Sequence, residues 1–221
     1  MRRLDRGAGK RSMAGVLPEV TDFCRLVLLR HPELEPASSN LAVGDGPAKL
    51  GRRGQDQVLD WLVLLEKIGL DGVQCADQPQ SADPARALAA SQQISIDVDA
   101  RLNDQNMGTW QGQSWDDLVK DEAAAVQEFF TNFGEASAPG GESLGTAVER
   151  MYGWWTDVMP AIRGQTLAVV TSGAMITGFA TALLGMRLSR SVSLNLPHGG
   201  LGVLDCFGNG ARIATWNPTA L

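Results

Sequence analysis

Cysteine and histidine are scarce in this chain, which has three cysteines and two histidines in 221 residues. Cys24, Cys75 and Cys206 lie far apart and form no CxxC pair, so neither a disulfide framework nor a zinc knuckle is indicated. We expect them to be small buried side chains of a protein in a reducing compartment. A single tyrosine against 25 glycines predicts many turns around a core of aliphatic residues and tryptophan.

Positive charge is also scarce, since the formal net charge is -6 at pH 7. A protein that binds nucleic acid or an anionic membrane nonspecifically needs a broad basic face, so neither partner is expected. No apolar run is long enough to cross a bilayer, and the basic first residues lack the apolar region of a secretory signal. We therefore predict a soluble cytoplasmic protein with a flexible basic N-terminal tail over residues 1–22.

The first candidate site follows a short run, residues 25–29, which predicts a buried strand ending in Arg30 and His31. Open α/β sheets bind ligands beyond the carboxyl ends of their strands, so this polar turn is where chemistry is expected. Arginine offers a rigid fork of donors to phosphate oxygens, and a neutral imidazole attacks phosphorus or binds a metal. The same pair also fits an ordinary surface turn, so whether Arg30 and His31 form a functional site depends on later segments of the chain.

Strand-like and helix-like segments alternate along the rest of the chain. Further strands are predicted at 73–76, 94–100 and 166–172, with a closing hairpin of 201–207 and 212–216. The alternation favours an α/β fold, a three-layer sandwich with a mostly parallel central sheet. We predict a single domain over residues 23–221, with a helical cap inserted at about 101–140.

The helix starts matter because they place charged side chains. A helix that carries Pro84 in its first turn puts Arg86 near the positive end of that helix, either as a surface residue or as an anion ligand. Ser114 is the predicted N-cap of a helix that runs to Phe130 with its apolar side chains turned inward, and Ser143 is the predicted N-cap of the next helix.

Five motifs along the chain carry a family resemblance. They are Arg30-His31, Asp83-Pro84-Ala85-Arg86, Asn103-Asp104 with Gly108 and Gly112, Gly140-Gly141-Glu142-Ser143 with Arg150, and Val169-Val170-Thr171-Ser172-Gly173. In this order and spacing they resemble the histidine phosphatase superfamily, the phosphoglycerate mutase-like clan, from about residue 25 to the carboxyl terminus. Several positions depart from the family pattern. Pro32 replaces a usual glycine, Ala82 and Ala90 replace the serine and threonine that often flank the second arginine, Asp104 stands where glutamate is more usual, and serine stands at the second catalytic histidine position.

The resemblance implies a phosphomonoesterase that acts on a small phosphorylated metabolite through a phosphohistidine intermediate. His31 would be the nucleophile, Arg30 and Arg86 would hold the phosphoryl oxygens, and Asp104 would give a proton to the leaving group. Ser172 would donate a hydrogen bond to the phosphoryl group. Neither a metal nor a cofactor is expected, because the arginines supply the positive charge.

The serine keeps other interpretations open. It brings no positive charge, and removing a charged donor from such a site typically costs on the order of 10²- to 10³-fold in rate. One alternative is a catalytically weak or inactive phosphatase-like protein that binds an anionic metabolite or a partner; another uses His31 and Asp104 as an acid-base pair on a non-phosphorylated substrate. His198 is a candidate accessory residue. If it enters the site, it supplies the hydrogen-bond donor that Ser172 does not replace; otherwise it is an ordinary loop histidine. The expected ligand is a small phosphorylated substrate or inorganic phosphate, and a homodimer is also considered.

Overall fold

Six strands form one sheet in a computed structural model that describes residues 23–208 and 210–218. They are β1 (Cys24–Arg30), β2 (Gly72–Cys75), β3 (Ile96–Val98), β4 (Thr166–Thr171), β5 (Leu201–Phe207) and β6 (Gly210–Trp216). Their order is β3-β2-β4-β1-β5-β6; the first four pair in parallel, and β5 is antiparallel to both of its neighbours. The prediction of a mostly parallel sheet is confirmed. The predicted tail of residues 1–22 lies outside the described residues.

The central strands β1 and β4 are buried on both faces of the sheet, as their apolar runs predict. Successive residues of a strand project to opposite faces. Leu28 of β1 belongs to a core that contains Trp154, whereas the next residue, Leu29, belongs to a second core that contains Trp61. Each face therefore needs its own layer of helices.

The α-helices of the described residues supply these layers. They are α1 (Arg52–Leu65), α2 (Pro79–Gln92), α3 (Trp115–Asp121), α4 (Ala123–Thr131), α5 (Leu144–Val158) and α6 (Gly173–Leu183). Helices α5 and α6 pack in the core of Leu28, and α1 and α2 pack in the core of Leu29. This arrangement is the predicted three-layer sandwich. Within residues 23–208 and 210–218, no helix combines the length and the apolar character needed to cross a membrane.

Helix α2 begins earlier than predicted. Pro79, rather than Pro84, occupies its first turn, and Pro84 lies inside the helix. The polar stretch before Pro84 conceals this start, because the N-cap residue Gln78 makes no side-chain capping hydrogen bond. Arg86 consequently lies in the middle of the helix, about two turns from its positive end.

The helix predicted from Ser114 to Phe130 is two helices. Ser114 is an N-cap as predicted, since its hydroxyl accepts a hydrogen bond from the Asp117 N–H at 3.3 Å. Glu122, with φ −129° and ψ 37°, separates α3 from α4. The prediction that Phe130 turns inward is wrong, because this side chain is 53% exposed.

A third, smaller core lies apart from the two faces of the sheet. It contains Ala42 and six residues of the segment predicted to form the cap, namely Met107, Trp110, Leu118, Val126, Phe129 and Ala138. Helices α3 and α4 thus have apolar contacts of their own, away from the sheet. The division of the chain into a domain and a cap stays a prediction.

Candidate active site

The carboxyl ends of β1 and β4 meet at one edge of the sheet, where Arg30 lies opposite Thr171 in parallel register. A cavity of about 750 Å³ opens at this edge. Four of the site residues assigned from the sequence line it, namely Arg30, His31, Asp104 and His198. Side chains predicted from separate segments of the sequence therefore share one cavity.

Arg30 is held by the loop that precedes β5. Its Nη1 donates to the carbonyl oxygen of Leu196 at 2.7 Å, and its Nη2 lies 2.8 Å from Nε2 of His198. The side chain crosses Gly173, where a Cβ would lie 2.9 Å from Nε and 3.0 Å from Cζ of Arg30. Glycine at this position therefore allows the guanidinium group to lie across the start of α6.

His31 is buried, with 6% of its surface exposed. Its Nδ1 lies 3.0 Å from the carbonyl oxygen of Pro32, which only accepts, so Nδ1 carries the proton and donates. Burial lowers the pKa of His31 to about 3, and the neighbouring Arg30 and His198 act in the same direction. The ring is therefore neutral at ordinary pH, with its lone pair on Nε2.

His198 reaches the same cavity across 167 positions of sequence, with its ring centroid 5.0 Å from that of His31. Arg30 is only a donor, so Nε2 of His198 accepts and the ring proton lies on Nδ1, 3.3 Å from the His31 carbonyl oxygen. Burial, with the charge of Arg30, lowers the pKa of His198. A neutral His198 adds no positive charge, and its contacts orient Arg30.

Asp104 and Ser172 form a hydrogen-bonded pair. The Ser172 hydroxyl donates to Oδ1 of Asp104 at 2.6 Å and accepts from the Met175 N–H at 3.3 Å, so it also caps α6. Burial raises the pKa of Asp104, although the bonds from Ser172 and the Gln105 N–H and the charge of Arg30 oppose it. A raised pKa favours the protonated carboxyl, which is the form that a general acid needs.

Arg150 stabilises the loop that carries Asp104 through hydrogen bonds to its backbone. Its guanidinium group donates to the carbonyl oxygens of Ala100, Arg101, Asn103 and Asp104 at distances of 2.8 to 3.3 Å. The same group pairs with Glu142 at 2.7 Å, and Glu142 also accepts from the Asn106 N–H at 3.0 Å. These contacts fix the backbone on both sides of the carboxyl group.

Arg86 is not brought to the cavity. Its guanidinium group pairs with Asp83 at 2.9 Å, and its side chain is 56% exposed. Because α2 begins at Pro79, Arg86 falls on the outer face of this helix. The expected pair of arginines in front of His31 is therefore not what the structure shows.

The residue of α2 that lines the cavity is Gln80, which the sequence analysis missed. Its Oε1 accepts from the Ala48 N–H at 3.0 Å and its Nε2 donates to the Gly46 carbonyl at 2.9 Å. Both ends of this amide therefore hold the loop before α1. Placing the helix start at Pro79 would have identified it.

The cavity carries little positive charge. Among the described residues that line it, Arg30 is the only arginine or lysine, whereas Glu33 and Asp104 bring carboxyl groups. In the part of the chain that the structure describes, no group of three or more His, Cys, Asp or Glu side chains is arranged to hold a metal ion. A bound anion would meet the guanidinium group of Arg30.

Helices α3 and α4 and the turn after α4 contribute an aromatic wall to the cavity. It consists of Trp115, Phe129, Phe130 and Phe133. The signal in the sequence is the close spacing of three phenylalanines, two on α4 and one in the turn after it. The helical pattern instead predicted that Phe129 and Phe130 both lie on the inner side of a single helix.

Comparison with known proteins places this site in a family. The chain belongs to the histidine phosphatase superfamily (branch 1), whose family model matches residues 26–219. Arg30, His31, Asp104 and Ser172 all lie within the matched residues.

Individual relatives are distant but cover most of the chain. It is 22% identical over 197 residues to an adenosylcobalamin/alpha-ribazole phosphatase of Escherichia coli (strain K12), covering 89% of this chain and 97% of that one. It is 27% identical over 170 residues to a glucosyl-3-phosphoglycerate phosphatase of Mycolicibacterium vanbaalenii, covering 73% and 75%. The structure of Bacillus stearothermophilus YhfR superimposes with a TM-score of 0.83 at 18% identity, covering 89% and 98%, and confirms the fold.

Proposed function

We propose that this protein is a phosphomonoesterase that acts on a small phosphorylated metabolite through a phosphohistidine intermediate. The observation that carries the proposal is the state of His31: a buried, neutral ring whose proton is fixed on Nδ1 beside the guanidinium group of Arg30. A nitrogen nucleophile needs this free lone pair. The named relatives that act as phosphatases support the same reaction class.

In the first step, the Nε2 lone pair of His31 attacks phosphorus. The N–P bond forms as the ester P–O bond breaks, and the leaving oxygen takes the proton of the Asp104 carboxyl group. Arg30 stabilises the phosphoryl oxygens, since only two of its five N–H donors are used by Leu196 and His198. The alcohol then leaves.

In the second step, Asp104 is a carboxylate and acts as the base. It removes a proton from water, the water oxygen bonds to phosphorus, and the N–P bond breaks with its electron pair returning to His31. Inorganic phosphate leaves, and both residues are back in their starting protonation states. Ser172 supports both steps through its hydrogen bond to Asp104 rather than through direct contact with the phosphoryl group.

The test is to trap the intermediate. We expect the purified protein to hydrolyse p-nitrophenyl phosphate, and a phosphate-labelled ester quenched in alkali to leave label on the protein that acid removes. His31→Ala should lose both turnover and label, whereas Arg86→Ala, outside the cavity, should keep both. Unchanged turnover in His31→Ala would rule the mechanism out.

A second candidate is a protein that binds an anionic metabolite with little turnover. The supporting observation is that the polar groups of Gln80 and Ser172, both beside the cavity, are hydrogen-bonded to other groups of the protein. Arg30 is therefore left as the cation for a phosphoryl group among the described lining residues. Binding of inorganic phosphate with a Kd in the millimolar range or tighter, without hydrolysis of any ester at high protein concentration, would support the binding protein over the phosphatase.

A further inference from the structure

The lining of the cavity has two chemically different parts. One part is polar and carries Arg30, His31 and Asp104; the other is apolar and consists of Met107 and the aromatic wall of Trp115, Phe129, Phe130 and Phe133. The rings of Trp115 and Phe130 lie 5.5 Å apart, and those of Phe129 and Phe130 lie 5.3 Å apart. This aromatic wall is therefore a continuous apolar surface inside the functional cavity.

The exposure of Phe130 is not explained by the packing of the cap. Its side chain is 53% exposed while its neighbour Phe129 is buried at 6%. Leaving aromatic surface in water is unfavourable relative to burying it. Apolar surface exposed within a cavity typically marks a binding surface.

The charges of the cavity limit what binds there. Arg30 is the only arginine or lysine among the described lining residues, and the proposed reaction uses it for the phosphoryl group. A second anionic group on the substrate would find no further arginine or lysine among these described lining residues and would face Glu33, whose carboxylate already pairs with Arg53 at 3.5 Å. The part of the substrate beyond the phosphoryl group should therefore carry no negative charge.

We infer that the substrate is a phosphomonoester of an uncharged alcohol or phenol with an aromatic or aliphatic body, which packs against the aromatic wall. This inference rests on the proposed function and adds the substrate class to it. Phosphorylated hydroxy acids and bisphosphates are excluded as preferred substrates, since they place a second anion beside Glu33 or the apolar rings.

The test uses esters whose leaving groups differ in apolar length and not in chemistry. From ethyl to butyl to hexyl phosphate, kcat/KM should rise by about two- to fourfold for each added methylene, as expected when each is removed from water. Glycerol 3-phosphate and 3-phosphoglycerate serve as polar and anionic comparisons, and both should be poorer substrates than butyl phosphate. A flat series, or a preference for 3-phosphoglycerate, would overturn the inference.

A pair of variants locates the effect. Phe130→Ala should lower kcat/KM for hexyl phosphate by about 3- to 10-fold and leave ethyl phosphate within twofold, because only the longer chain reaches the wall. Tyr152→Ala is the matched control, an aromatic side chain that is 43% exposed on α5 and does not line the cavity. Equal losses for both esters in Phe130→Ala would contradict the inferred contact.

The two proposals fail in different ways. If the esters are hydrolysed without the chain-length preference, the substrate class is wrong and the phosphatase proposal stands. If no ester is hydrolysed, the phosphatase proposal fails, and calorimetric binding of hexyl phosphate against glycerol 3-phosphate still decides the apolar preference. Tighter binding of glycerol 3-phosphate would then overturn the inference.

Discussion

The ends of β1 and β4 share a local pattern and take different parts in the site. Both strands are apolar, lie side by side in parallel and open into a polar turn. At the end of β1, Arg30 and His31 line the cavity; after β4, Ser172 points its hydroxyl at Asp104 and at the first turn of α6. One strand end thus presents proposed reacting groups to the cavity, and the other holds the Asp104 carboxyl group in place.

The largest effect is expected at Asp104, the carboxyl group held by the β4 end. Asp104→Asn removes the proton donor, so kcat for hexyl phosphate should fall by about 10²- to 10⁴-fold. The loss for p-nitrophenyl phosphate should be much smaller, because its leaving group needs no proton. Steady-state rates for the two esters measure the difference.

The pH profile sharpens this prediction. Asp104 gives its proton only when protonated, and burial raises its pKa, so wild-type rates on hexyl phosphate should fall as pH rises through that raised value. The alkaline fall should be absent in Asp104→Asn. Glu33→Gln, which changes the other lining carboxyl group, should keep the fall. Equal losses for both esters in Asp104→Asn would contradict a proton-donor role.

The next largest effect compares two arginines: Arg30, which ends β1, and Arg86, which lies in the helix after β2. Arg30→Gln should lower kcat/KM for p-nitrophenyl phosphate by about 10²- to 10³-fold, because it removes the charge that faces the transition state. Arg86→Gln should stay within twofold, because that side chain is 56% exposed and paired with Asp83. A similar loss in both variants would restore the two-arginine site predicted from the sequence.

The smallest effect distinguishes two roles of Ser172, which caps α6 and donates a hydrogen bond to Asp104. Ser172→Ala and Ser143→Ala each remove an N-cap hydroxyl, so each should cost about 1 kcal/mol of stability and lower Tm by about 2 to 4 °C. Only Ser172→Ala removes a hydrogen bond that lowers the pKa of Asp104, so only this variant should move the alkaline fall to higher pH. Thermal melts and pH-rate profiles of both variants test this. An unmoved profile in Ser172→Ala would mean that the serine acts on the phosphoryl group instead.

Local patterns predicted most of the fold for clear physical reasons. A strand buried on both faces must be apolar throughout, so 166–172 was identifiable, and a serine before an apolar helical stripe predicted the caps at Ser114 and Ser143. The start of α2 was missed because its N-cap, Gln78, makes no side-chain capping bond and a second proline follows inside the helix. The phosphate-binding role of Arg86 came from the family resemblance, and only the structure shows that Gln80 is the residue of α2 that lines the cavity.

The sequence by itself determined the strand ends and the chemistry they carry, because burial periodicity and residue type are local properties. Only the tertiary structure decided which side chains share the cavity. Antiparallel pairing of β5 with β1 brings the loop of His198 onto Arg30, and packing of α3 and α4 brings the aromatic wall to the same cavity. Such contacts join segments far apart in sequence, and their geometry depends on how whole layers pack rather than on any single stretch of chain.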